Sequence, residues 1–131
     1  MNMDVANIPI LQIENFLIAS IQVELHDRQA VQFKDDLLQS IYRTNAKGIL
    51  LDMTALQVVD SFIARIIGDA AEMANLMGAK VVVTGLQPPV AITLIELGIE
   101  MKGIVTALNL EKGLTLLRKI TEYDEDEEDH A

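Results

Sequence analysis

The chain has no cysteine, no tryptophan and only two histidines, and aromatic residues make up 4% of it. Without cysteine there is no disulfide framework and no thiolate nucleophile, a composition that fits the cytoplasm. His26 and His130 have no partners at ligand spacing, so no metal centre is expected. Basic residues are scarce as well: 10 Lys and Arg stand against 20 Asp and Glu, a formal charge of −10. Affinity for a phosphate backbone comes from neutralising many phosphates with Lys and Arg, so nucleic acid is set aside as a partner. No apolar run reaches the roughly 18 to 20 uncharged residues of a membrane helix. Met1 to Ala6 carries Asp4 and no basic region, unlike a secretory signal. No Gly-x-Gly-x-x-Gly follows a strand and no phosphate loop ends in Gly-Lys-Ser/Thr, so nucleotide hydrolysis has no apparatus and no cofactor is expected.

What is present is a single-domain pattern. A chain of 131 residues with half of them hydrophobic buries one core and has little room for two. Seven acids, Glu122 to Asp129, are concentrated at the C-terminus, which leaves residues 1 to 121 with 13 acids and 10 bases, or −3. The spacing predicts a domain over 1–121 and a disordered, self-repelling acidic tail over 122–131.

Alternation of Leu17, Ala19, Ile21, Val23 and Leu25 with more polar neighbours predicts a strand with one face in the core, and Ile8 to Glu14 is its expected hairpin partner across a Glu14-Asn15 turn. Asp27 is expected to cap a helix that runs to about Asn45. Ile49 to Met53 and Lys80 to Thr84 read as strands covered on both faces. Helices are expected after Asp60, with Ile63, Ile66, Ile67, Ala70, Ala74 and Met77 on its inner stripe, and from Pro88-Pro89. A last strand over Gly103 to Ala107 precedes a helix capped by Asn109, with Leu110, Leu114, Leu117 and Ile120 inward. The fold class is therefore α/β: one mixed sheet, parallel after an opening hairpin, with about four helices.

The run Asp60-Ser61-Phe62-Ile63-Ala64-Arg65 places a hydroxyl where a strand has ended and an amphipathic helix begins. By local rules Ser61 or Asp60 is the N-cap. Catalysis by Ser61 is not supported, because a hydrolase elbow needs glycines where this chain has Val59 and Ile63, and no general base is evident. Asp52 near the end of a central strand, with Thr84 at the end of the next, has a receiver-like look as an acceptor Asp and switch Thr. The acidic pair and the lysine of a receiver have no counterparts, and Asp52 is expected to be structural, hydrogen-bonded to loop backbone.

The segments Gly48-Ile49-Leu50-Leu51-Asp52-Met53-Thr54, Val58-Val59-Asp60-Ser61 and Gly78-Ala79-Lys80-Val81-Val82-Val83-Thr84-Gly85 together resemble a STAS domain, the SpoIIAA-like fold of anti-sigma factor antagonists. The helix-start motif through Gly68, with Leu97-Gly98-Ile99 and Thr106-Ala107-Leu108-Asn109-Leu110-Glu111-Lys112-Gly113, is similar to the RsbS-type branch, the small stressosome scaffold proteins, over residues 8 to 120. The resemblance implies a non-enzymatic scaffold in the cytoplasm. Such a scaffold co-assembles with RsbR-type paralogues, sequesters an RsbT-type serine kinase, and releases it when phosphorylated; a PP2C-type phosphatase resets the system. Carried onto this chain, Ser61 is the phosphoacceptor, Asp60 its helper, and Phe62 and Arg65 candidate kinase-recognition residues. The alternative it implies is direct antagonism of an anti-sigma factor in a partner-switching module. Simple antagonists carry a second Ser and a Gly after the first Ser, where this chain has Phe62-Ile63. Thr54 and Thr84 stand as open candidates for a second phosphosite.

Overall fold

The computed structural model describes residues 8–21 and 25–130, the last eight of them by backbone alone. Among the described residues five strands form one sheet in the order β1 (Ile10–Ile13), β2 (Phe16–Ser20), β3 (Gly48–Asp52), β4 (Lys80–Thr84), β5 (Ile104–Ala107). The β1–β2 hairpin is antiparallel and every later pair is parallel, as the pattern predicts. Glu14, at φ 56°, supplies the left-handed turn of the hairpin.

The strand over Leu17 to Leu25 departs from expectation. It spans Phe16–Ser20 and is buried on both faces, because each face of the sheet packs into a core of its own. Gln22 to Glu24 lie outside the described residues, as does the Met1 to Ala6 segment. Leu17, Ala19 and Ile21 join the large core under helices α1 (Asp27–Thr44), α2 (Ser61–Leu76) and α3 (Pro88–Glu96), while Phe16 and Ile18 face the other way. Parallel connections of one hand put successive crossover helices on one face. Here α1 contacts α2 and α2 contacts α3. In α1 the cap is His26 and Asp27 is the first helical residue, and left-handed Asn45 ends the helix. Met77, expected on the inner stripe of α2, is instead its partly exposed C-cap.

Helix α4 (Leu110–His130) lies on the opposite face, against β3, β4 and β5. Its anchor is Leu117, fully buried against Phe16, Ile18, Leu50 and Val82. Gly113 permits the close approach, since a Cβ there would meet Leu50 Cδ1 at 2.9 Å and overlap Thr84 Cγ2. Leu110, expected inward, is 45% exposed. The backbone stays helical through the acidic run that charge repulsion predicts to be disordered; glutamate is a good helix former, which favours the extension.

Candidate functional site

Ser61 is the first residue of α2, and Asp60, extended at φ −85° and ψ 175°, is the N-cap. Of the two capping candidates the structure selects the aspartate: Asp60 Oδ1 accepts from the Ile63 backbone N–H at 2.9 Å. The Ala64 N–H donates to the Asp60 carbonyl at 3.0 Å. That division of labour leaves the Ser61 side chain free. It is exposed, and among the described residues its hydroxyl has no hydrogen-bond partner.

Inward, Ile63, Ala64, Ile66 and Ile67 are buried and fix the helix on the sheet. Outward, Phe62 is 41% exposed, Arg65 is exposed, and Val58 just before the cap is 60% exposed. Arg65 makes no ion pair among the described residues, and the first turn of α2 holds no acidic side chain of its own. The hydroxyl, one residue inside a helix start, is flanked by an exposed apolar ring, a guanidinium with no ion pair among the described residues and a capping carboxylate. It has what an acceptor of a transferred group needs: exposure, an anion-tolerant helix end and features a partner can read.

Asp52 sits at the end of β3; its carboxylate, expected to bond loop backbone, accepts from three hydroxyls instead. Oδ1 accepts from Thr54 Oγ1 and Thr84 Oγ1, each at 2.8 Å, and Oδ2 accepts from Ser20 Oγ at 3.3 Å. Thr84 is fully buried, which takes it out of consideration as a phosphosite; Thr54 is exposed but its hydroxyl is engaged. The sheet places Ser20, Asp52 and Thr84 side by side in register, a relation that becomes visible only when the strands are aligned. Among the described residues no cluster of His, Cys, Asp and Glu could hold a metal ion, and no helix is long and apolar enough to cross a membrane.

The sequence model of the STAS domain matches residues 7–112. The chain belongs to the STAS domain family. Within that family it is similar to a serine-to-glutamate variant of RsbS from Moorella thermoacetica, at 39% identity and a TM-score of 0.81, covering 89% of this chain and 99% of that one. A chain from the stressosome, a signal integration and transduction hub, matches at 43% identity and a TM-score of 0.76, over 86% of this chain and 97% of its own length. RsbRA of Bacillus subtilis, an RsbT co-antagonist protein, is 29% identical over 109 residues, which are 83% of this chain but 40% of RsbRA. This chain thus spans about two fifths of that longer relative and nearly all of the RsbS one. As a STAS domain it has the mixed sheet with an antiparallel β1–β2 pair and the four helices that the resemblance implied.

Proposed function

We propose that this STAS domain is a non-enzymatic regulatory scaffold of a cytoplasmic stressosome, which sequesters an RsbT-type serine kinase and releases it when Ser61 is phosphorylated. Likeness to RsbS and to a stressosome chain supports the scaffold role, and likeness to RsbRA supports co-assembly with RsbR-type STAS paralogues. The observation that carries the switch is the exposed Ser61 hydroxyl, left unbonded because Asp60 does the capping.

Phosphorylation adds about −1.5 to −2 charges. At the first position of α2 the helix dipole and free N–H groups tolerate that charge, so the fold persists. Outside the helix the charge lands beside Asp60 and among Val58, Phe62 and Arg65, the exposed set a kinase would grip. Loss of complementarity at that surface, not refolding, then releases the kinase, and a PP2C-type phosphatase restores it. The serine-to-glutamate RsbS variant keeps the same fold, in line with a domain that accepts an added carboxylate.

The test is phosphopeptide mass spectrometry across Ser61 after incubation with an RsbT-type kinase, paired with kinase co-purification. Ser61→Ala should retain the kinase and take up no phosphate, and Ser61→Asp should lower retention by roughly tenfold, a change of about 1.4 kcal/mol. Phosphate incorporation into Ser61→Ala at the wild-type level would overturn the assignment. A stable complex with an anti-sigma factor, with no large co-assembly on size-exclusion chromatography, would favour direct antagonism instead.

A further inference from the structure

The loop between β3 and α2, residues 53–60, delivers Ser61 to the surface; its start is tied to β4 by the Met53 N–H, which donates to the Thr84 carbonyl at 2.8 Å, and beyond that bond side chains take hold of it. Ser20 and Thr84 are register partners of Asp52, so their bonds to its carboxylate join groups the strands already set side by side. The bond from Thr54 Oγ1 leaves the sheet and takes hold of the loop. The same threonine is held twice more. Its carbonyl accepts from Gln87 Nε2 at 2.9 Å, and Gly85, at φ 69°, packs so closely that a Cβ there would lie 2.9 Å from Thr54 Cα. A carboxylate suits such a hub, because it offers about four acceptor sites and no donor, and its bonds to hydroxyls are charge-assisted.

We infer that Asp52 and Thr54 form a clasp that positions the Ser61 loop for phosphoryl transfer. Asp52 is a positioning residue, since it acts on Ser61 only through the loop. The inference rests on the reading of Ser61 as phosphoacceptor. After Thr54 the loop has two other fixed points: buried Leu56, whose N–H donates to the Met53 carbonyl at 3.0 Å, and the Asp60 cap. Between them Gln57 and Val58 are exposed. Releasing Thr54 frees the stretch ahead of Leu56 and spreads the loop over more conformations. A kinase that accepts only the presented conformer then meets less of it, so the apparent KM rises by the inverse of the competent fraction while kcat holds.

Thr54→Val tests this, because valine keeps the shape, removes the hydroxyl and leaves the strand ties of Asp52 intact at an exposed position. For Ser61 phosphorylation by an RsbT-type kinase, KM should rise about 3- to 10-fold with kcat within about twofold. Amide hydrogen exchange at Leu56 and Ile63 should quicken, the melting temperature should stay close to wild type, and Thr54→Ser should restore both readouts. Unchanged KM and unchanged exchange would overturn the clasp, as would a fall in kcat with KM constant. If the wild-type chain takes no phosphate at Ser61, the phosphoacceptor reading fails and exchange alone decides: faster exchange rescued by serine supports the clasp, and unchanged exchange removes it.

Discussion

The two ends of the parallel strands are closed by different means. At the N-terminal end main-chain bonds dominate: Lys47 N–H donates to the Asn15 carbonyl at 2.8 Å and Lys80 N–H to the Lys47 carbonyl at 3.0 Å. One side-chain tie there is the exposed pair of Arg118 with Glu14, at 3.0 Å. At the C-terminal end main-chain bonds recur, from Ile21 to Asp52 and from Met53 to Thr84, but side chains carry the loops. Ser20, Asp52, Thr54, Thr84, Gln87 and Asp60 each hold or cap a connection there. Main-chain ladders are indifferent to sequence, whereas side-chain ties can be cut one at a time. The end that carries Ser61 is therefore the end where single substitutions should be felt.

The largest expected effect is at Gly85. Its φ of 69° is a conformation L side chains rarely adopt, and a Cβ would overlap the Thr54 side chain. Strain of about 1–2 kcal/mol and overpacking of about 1–3 kcal/mol should make Gly85→Ala destabilising by roughly 3 kcal/mol, read by urea denaturation. A loss below about 1 kcal/mol would show that the C-terminal loops yield easily, and the contrast between the two ends would collapse.

Next comes the cap. Asp60→Ala should cost about 1 kcal/mol and Asp60→Asn only a few tenths, because asparagine accepts from the Ile63 N–H as aspartate does. If Asp60→Asn keeps stability but loses phosphorylation of Ser61, the carboxylate charge serves the kinase and not the helix. Equal loss of stability in both variants would mean that capping is not what Asp60 contributes. By comparison, Arg118→Ala at the other end should shift stability by no more than about 0.5 kcal/mol, since both partners of that pair are about half exposed and screened by water. A larger loss would place a working side-chain tie at the N-terminal end and narrow the contrast.

Much of this asymmetry lies beyond what a linear reading can reach. The apolar runs of β3 and β4, the Pro88-Pro89 helix start and the Asn109 cap, which accepts from the Lys112 N–H at 2.9 Å, were legible because each signal is local. The double burial of β2 was not, because alternation in Leu17 to Leu25 looks the same whether or not a helix such as α4 covers the second face. Ser61 was legible as a residue at a helix start, but the choice between it and Asp60 as cap depends on backbone angles. The strand ties of Asp52 were hidden for a different reason: Ser20 and Thr84 each lie 32 positions from it and meet it only through strand register. Asp52 could be singled out as a carboxylate in an apolar strand and set beside Thr84 at the end of the next, but Ser20 and Thr54 could not be assigned to it.

The smallest effect on the fold is expected at Ser61, the residue proposed as the switch. The first turn of α2 carries no acidic side chain, so Ser61→Asp adds one negative charge where the dipole favours it, by about 0.3–1 kcal/mol at most. Repulsion from Asp60 next door offsets part of that gain, and the melting temperature should barely move. The same substitution should weaken kinase retention, because the charge projects into the exposed surface formed with Phe62 and Arg65. A scaffold that switches by surface charge must separate these two readouts. If Ser61→Asp released the kinase only by melting α2, circular dichroism and denaturation would report it at once, and the C-terminal end of the sheet would be a weak point of the fold instead of a rigid mount for its switch.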